Sequence, residues 1–362
     1  MNGTTENVTF QLFQETLTLL DKRNEDIKKF PTYSSDIPYN ILIRFINRFL
    51  SKIHAQILIL PEKDSFVVNQ SIGLIKDLLL HYSEYDTARS LLADEKSKNI
   101  FDWMIRYRIA YAFIGGQALY LIEPPISPKI YKGLKEQTQK LKIYGKYQIS
   151  GLKFKSNDVV FIPTWLLGQY QYRHRCEPKT GDTVLDIGAC EGETSLWFAQ
   201  KIDNKGCIFA FEPEINNFRT LQENIKSNSL QNLIIPIQIG LWSSRKTLSF
   251  SGSGGGFSYN ESGKNQIEVI TLDDFIIENN IGKVDFIKMD VEGSEMEILQ
   301  GAEKTIKKYK PKCAIAVYHK FRDIIEIINF LHGIVPDYRF YLAHFTTNYG
   351  ETILFANSEY HQ

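Results

Sequence analysis

Few features of this chain point to secretion, to a metal cluster or to a polyanionic partner. Its four cysteines, Cys176, Cys190, Cys207 and Cys313, are scattered. They form neither a zinc-site spacing nor a disulfide framework, so a reduced cytoplasmic setting is expected. Lys plus Arg and Asp plus Glu number 42 each, giving a formal net charge of zero. That balance argues against a nucleic-acid partner. Met1 to Glu6 lacks the basic and apolar stretches of a signal peptide. The most apolar long stretch, Ile41 to Leu60, is interrupted by Arg44, Arg48, Lys52 and His54, so no membrane span is expected. The dinucleotide fingerprint G-x-G-x-x-G and the phosphate loop G-x-x-x-x-G-K-[ST] are both missing.

What is present suggests two domains, for which 362 residues suffice. Residues 1–145 read as helical. Ile41, Phe45, Phe49 and Ile53 recur every four positions, and Leu74, Ile75, Leu78 and Leu79 continue the habit. A third helix is expected from Asn99 through Phe101, Met104, Ile105, Ile109 and Phe113, ending near Gly115-Gly116. Pro124-Pro125 and Pro128 then break the pattern. This part could serve as a cap, a substrate lid or a contact for a homo-oligomer.

Residues 146–362 read differently. Gln148–Phe154 and Val159–Ile162 suggest a short hairpin, with a helix near Trp165–Tyr172. Strands near 183–187, 207–212, 233–239, 284–290 and 313–318 then alternate with helices near 193–202, 215–227, 295–308 and 321–331. That alternation predicts an α/β, Rossmann-like parallel sheet with helices on both faces. Tyr338–Phe345 and Thr352–Phe355 form a closing hairpin, which adds one antiparallel strand, as in the seven-stranded methyltransferase sheet.

The most telling residues lie at two strand ends. Asp186-Ile-Gly188-Ala189-Cys190-Glu191-Gly192-Glu193-Thr194 follows the first strand, and Phe211-Glu212-Pro213 follows the second. Glycines in such a turn let backbone approach a ligand. An acid at the end of the next strand can take both hydroxyls of a ribose. Glu191 and Glu193 beside Gly192 would repel a pyrophosphate but suit a cation. The charge pattern therefore favours S-adenosylmethionine, with Asp186, Gly188, Ala189, Cys190, Gly192 and Glu212 holding it and Trp242 bordering the adenine.

Two further segments bear on the site. Ser251-Gly-Ser-Gly-Gly-Gly-Phe-Ser258 is too glycine-dense for a strand interior and is expected to be a loop on the ligand side, with Ser258 near the substrate. Thr271-x-x-Asp274 has the form of a capping box and is assigned to structure. Lys288, inside an otherwise apolar strand, is expected to pair with an acid.

Together with Thr271-Leu-Asp-Asp, Ile287-Lys-Met-Asp290-Val-Glu292-Gly-Ser-Glu295, Ala314-Ile-Ala-Val-Tyr-His319-Lys and Glu351-Thr-Ile-Leu-Phe-Ala, these motifs resemble the FkbM family of S-adenosylmethionine-dependent methyltransferases over residues 180–357. Leu92-Ala-Asp-Glu-Lys-Ser97 is similar to a segment preceding the domain in some members. The resemblance implies an O-methyltransferase, with a carbohydrate or nucleotide-sugar acceptor in bacterial surface-glycan synthesis as the expectation. A lipid, polyketide or protein acceptor, or a non-catalytic cofactor-binding partner in glycan assembly, are the rivals. Deprotonating a hydroxyl calls for a base or a metal. Asp290 and His319 are the expected catalytic groups, Glu292 and His344 candidate acceptor contacts. Asp290, Glu292 and His319 could alternatively ligate a divalent cation, Mg²⁺ or Mn²⁺. Glu295 is read as a helix first-turn residue.

Overall fold

In the computed structural model, residues 7–26, 65–251, 258–259 and 265–358 are described. The expected periodic helix through Ile41 and Ile53, the N-terminal residues to Glu6 and the glycine run 252–257 lie outside them. No helix among the described residues is long and apolar enough to cross a membrane.

The chain divides into two compact units, 1–86 with 102–123, and 87–101 with 124–362. The first is helical. Its described helices are Val8–Asp26, most of Ser65–Leu91, the later part of Glu95–Ile114 and the short Gly115–Gln117 and Ala118–Leu121. Ser65–Leu91 carries a kink at His81, and the buried Tyr85 anchors the segment by donating to Asp77 Oδ2 at 2.7 Å.

The second unit is built on seven strands: β1 (Thr183–Ile187), β2 (Cys207–Phe211), β3 (Ile234–Ile237), β4 (Phe286–Met289), β5 (Lys312–Ala316), β6 (Arg339–His344) and β7 (Thr352–Asn357). Their order is β6-β7-β5-β4-β1-β2-β3, parallel except that β7 runs antiparallel to both neighbours. This is a Rossmann-like α/β sheet, and β4 and β5 are buried along their whole length, as strands covered on both faces must be. The helices α1 (Glu193–Lys201), α2 (Ile215–Ser227), α3 (Leu272–Glu278), α4 (Glu295–Gln300), α5 (Glu303–Tyr309) and α6 (Asp323–Ile334) fall between the strands. The strand order switches direction at the β1–β4 boundary, where ligands characteristically bind in such sheets.

Residues 87–101 belong to this unit rather than to the helical one. Leu92 bridges Phe340 at the edge strand β6, and Ala93 N donates to Phe340 O at 2.8 Å. Ser97 Oγ accepts from Leu342 N at 2.9 Å, while Asp94 receives the Tyr172 hydroxyl at 2.8 Å.

Three local expectations change in the structure. Val159–Ile162 is not a strand: Asn157 Oδ1 accepts from Val160 N at 3.0 Å and caps a helix, Asp158–Phe161, which passes into a π-turn over Ile162–Leu166. The helix expected at Trp165–Tyr172 is therefore already ending at Leu166. The single helix expected over 295–308 is two. Gly301 O accepts from Asp273 N at 2.9 Å, and the Asp273 carboxylate receives the amides of Lys304 and Thr305, starting α5 afresh. A side chain at Gly301 would also place Cβ 2.1 Å from Trp242 O. The Thr271 cap of α3 forms as expected, with Asp274 N donating at 2.9 Å.

A four-stranded sheet of Gly240–Leu241, Lys246–Ser251, Ser258–Tyr259 and Asn265–Ile270 is set into the connection from β3 to α3. Trp242, Leu248, Phe250 and Val269 form its small core.

Candidate functional site

The C-terminal ends of β1, β2, β4 and β5 open on one cleft. The register explains its floor. Lys288 on β4 lies directly beside Asp186 on β1, and their side chains pair at 3.3 Å, both fully buried. Lys288 Nζ also donates to Gly188 O at 2.5 Å and Ile187 O at 3.3 Å. Burial works against its charge, yet Asp186 and Asp290 hold the ammonium's pKa above the ordinary lysine value. Asp186 Oδ2 receives Thr194 Oγ1 and Ser195 Oγ, both at 2.6 Å. Lys288 thus ties the β1 turn to β4, while Asp186 ties it to α1.

The glycines of the turn have an internal reason to be glycine. Gly188 has φ +80°, and a Cβ there would lie 2.0 Å from Asp290 O; Gly192 has φ +90° and would meet Leu221 Cδ1 at 2.5 Å. The β1 and β4 turns are in backbone contact, which only a residue without a side chain permits. Cys190 and Glu292, one in each turn, also adopt left-handed backbone (φ 49° and 54°), uncommon for residues with a side chain.

Glu212 is 5% exposed and lines the cleft. Oε2 accepts from Cys190 N at 2.9 Å and Oε1 from Glu214 N at 2.8 Å. Burial raises its carboxyl to about 7, with those amides and Lys288 acting the other way. The Asn217 side chain also bonds this carboxylate, which keeps acceptor capacity for a further hydroxyl. Cys190, Pro213, Asn217, Leu241 and Trp242 line the same end.

The other end is crowded with acids and tyrosines. Asp290 receives the Tyr170 hydroxyl on Oδ2 at 3.1 Å and the Tyr318 hydroxyl on Oδ1 at 3.3 Å. Burial, then Asp290, raises both phenols well above their usual value, so both remain donors. His319 stands behind Asp290. Its Nδ1 is 2.9 Å from Oε1 of the fully buried Glu295, and its Nε2 lies 3.7 Å from Asp290 and 3.6 Å from Glu292. Burial opposes charge on this ring, but Glu295, Asp290 and Glu292 outweigh it and push the pKa up to about 10. Glu292 is raised to about 7, by burial first. Glu351, held by Gln169, is likewise raised to about 7 by burial and by Asp290.

Asp290, Glu292 and His319 are therefore brought together. Asp290, Glu295 and His319 have donor atoms within 4.8 Å of one another, a grouping that could hold a cation. Glu295 occupies Nδ1, so only Nε2 could turn to a metal, and it would first have to lose the proton its three carboxylates retain.

Gly188, Cys190, Glu212, Trp242, Asp290 and Glu292 line the cleft, as expected of site residues. Asp186, Ala189, Gly192 and His319 are not among the lining residues: Asp186 is fully buried with Thr194 and Ser195 on Oδ2 and Lys288 3.3 Å from Oδ1, Ala189 lies in the core, Gly192 packs on Leu221, and His319 stands behind Asp290. His344 is also elsewhere. It is 5% exposed, with Nδ1 2.8 Å from Thr352 Oγ1, and burial lowers its pKa to about 3. Backbone at Ser258 forms a strand pair with Ser251. Sequence reasoning missed Tyr170, Tyr318, Glu351 and Asn217. Tyr318 and Glu351 adjoin motifs it did use; nothing local marks Tyr170, which reaches the cleft from a loop outside the alternating elements.

Residues 186–342 match the Methyltransferase FkbM domain. The hexuronic acid methyltransferase AglP of Haloferax volcanii is 30% identical over 135 residues, 36% of this chain and 54% of that protein. A tRNA (cytosine(72)-C(5))-methyltransferase of Pyrococcus horikoshii is 37% identical over 57 residues, 16% of this chain and 15% of that protein. The chain thus spans about half or less of the length of these curated relatives. Among solved structures, a methyltransferase FkbM from Methylobacillus flagellatus KT superposes with TM-score 0.56 at 19% identity, covering 93% of this chain and 77% of that one. This last likeness concerns the fold.

Proposed function

We propose, from the premise that residues 186–342 belong to the FkbM methyltransferase family, that this chain methylates a hydroxyl of a sugar-containing acceptor with S-adenosylmethionine. The reading takes 146–362 as the catalytic domain and glycan assembly as its setting. One observation carries it: the ribose-type carboxylate Glu212 and the polar group around Asp290 open on the same cleft, across the touching β1 and β4 turns.

Bound S-adenosylmethionine supplies a methyl group already activated by its sulfonium. Glu212, Gly188 and the Cys190 backbone fit that cofactor's ribose end, and Trp242 its base. At the other end Asp290 is the group that takes the acceptor's hydroxyl proton. Tyr170 and Tyr318 fix both of its oxygens, so that an oxygen meets the hydroxyl in one orientation. His319, its pKa raised by Glu295, Asp290 and Glu292, faces Asp290 and Glu292 with Nε2. It is a positioning residue, anchored from behind by Glu295.

Calorimetric titration with S-adenosylmethionine tests the cofactor; unchanged binding by Glu212→Ala would refute it. A panel of fractionated glycans, lipids and proteins, incubated with tritiated cofactor, tests the acceptor. Label in a sugar fraction, lost in Asp290→Asn, is the expected result. Cofactor binding without label in any fraction favours a non-catalytic partner.

A further inference from the structure

Of the two glutamates that flank Gly192, Glu193 has the unusual setting. It opens the nine-residue helix α1, is 2% exposed, and lines the cleft beside Cys190 and Thr194. Its Oε2 has no hydrogen-bond partner among the described residues. A buried carboxyl oxygen without a donor is costly unless a partner reaches it. Among the described residues none offers Oε2 a donor. The nearby Lys288 ammonium is engaged by Asp186 and two backbone carbonyls, and Asp186 is engaged by Lys288, Thr194 and Ser195. The N-terminus of α1 contributes partial positive charge, which helps but leaves no donor on Oε2.

We propose that Glu193 is the counter-charge for a cationic centre of S-adenosylmethionine, its ammonium or its sulfonium. The proposal rests on the cofactor reading of the cleft and adds the residue that recognises the ligand's charge rather than its ribose. It also gives the turn a selectivity: adenosine ligands without a cation leave Glu193 unpaired.

A consequence is that binding is linked to a proton. With only the protein's own groups around it, burial lifts the Glu193 carboxyl to about 8, its own amide and Lys288 lowering it, Glu191 and Asp186 raising it. Cys190 and Glu212 are neighbouring titratable groups, and Tyr170, Asp290, Glu292, Tyr318 and Glu351 line the same cleft. The carboxyl is therefore mostly protonated at pH 7, and a cation beside it drives the proton off. Affinity should rise with pH up to about 8, by at most about tenfold per pH unit. Glu212, raised to about 7, contributes a similar trend through the ribose at lower pH. The comparison ligand must therefore share the ribose and lack the cation.

The test is titration calorimetry of the full chain at pH 7.5 in two buffers of different ionisation enthalpy, with S-adenosylmethionine, S-adenosylhomocysteine and methylthioadenosine. S-adenosylmethionine should release more protons than methylthioadenosine. Glu193→Gln should abolish that excess and weaken S-adenosylmethionine about tenfold or more, leaving methylthioadenosine within about twofold. Equal weakening of S-adenosylhomocysteine identifies the ammonium, and sparing of it the sulfonium. Glu193→Gln that binds S-adenosylmethionine like the parent, or keeps the proton excess, overturns the proposal. Should that variant not fold, equal proton release by the two ligands on the parent chain overturns it as well. Failure of all three ligands to bind sinks the cofactor reading itself, a different outcome from failure of Glu193 alone.

Discussion

Replacing Lys288 by methionine probes the buried join between β1 and β4. Methionine has nearly the lysine stem's volume, so the change removes charge and donors with little loss of packing. Asp186 Oδ1, fully buried, would lose the Lys288 cation. Breaking a buried pair in this way costs about 3–5 kcal/mol. The carbonyls of Ile187 and Gly188 each lose a donor, adding about 1 kcal/mol apiece. The sum, roughly 5–7 kcal/mol, is comparable with the whole stability of an ordinary domain, about 5–15 kcal/mol. Urea unfolding can be followed by fluorescence, because Trp165, Trp197 and Trp242 all lie in the sheet-bearing unit. The midpoint should fall by more than about 1 M. Adding Asp186→Asn to Lys288→Met should cost at least about 2 kcal/mol less than the two single losses summed, since each single change strands the other's charge. A Lys288→Met midpoint within about 0.3 M of the parent would show that the pair does not hold the turn, and the reasoning would be wrong.

Other outcomes follow from the same geometry. Gly188→Ala, forced to φ +80° with Cβ against Asp290 O, should lose about 3 kcal/mol or more and bind S-adenosylmethionine poorly; a stable variant with parent affinity would mean the two turns can part freely. His344 is neutral in the fold, its pKa lowered to about 3 by burial, whereas an unfolded chain protonates it near 6.5. Its contribution is thus whole above pH 6.5 and is lost as pH falls toward 3, by at most about 1.4 kcal/mol per pH unit. His344→Gln should flatten that acid limb in denaturation curves and leave the acceptor KM unchanged; a raised KM would restore it to the site. Because Glu295 engages Nδ1 of His319 and the Tyr170 and Tyr318 hydroxyls engage both oxygens of Asp290, methyl transfer should be indifferent to EDTA and to added Mg²⁺ or Mn²⁺, and dependence on either would reinstate the cation reading. Glu295→Gln should lower the His319 pKa, visible in imidazole nitrogen shifts by NMR, and reduce kcat more than it changes KM.

Much of the sheet was legible because each strand is a short apolar run ending in punctuation. Thr183–Ile187 stops at Gly188, Cys207–Phe211 at Glu212-Pro213, and the β6–β7 hairpin at Asn348-Tyr349-Gly350. Legibility failed where a distant residue intervened. Asp273 splits the expected 295–308 helix from outside it, and the Asn157 cap turns an apolar run that reads as strand into helix. Residues 87–101 read as one more helical stretch, and their place along β6 depends on pairing with Phe340, some 250 positions away.

By itself the sequence determined the class of sheet, the two strand ends that open on the cleft, the acid Glu212 at one of them and the family resemblance, since these depend on local periodicity, glycine placement and charge sign. Tertiary structure decided where each of those residues sits. It buried Asp186 beside Lys288, gave Gly188 a neighbouring backbone to clear, sent His344 into the core, and made Glu295 the partner of His319. The physical reason is that a side chain's role depends on its burial and on its partners in space, and register across parallel strands brings together residues that are a hundred positions apart in the chain.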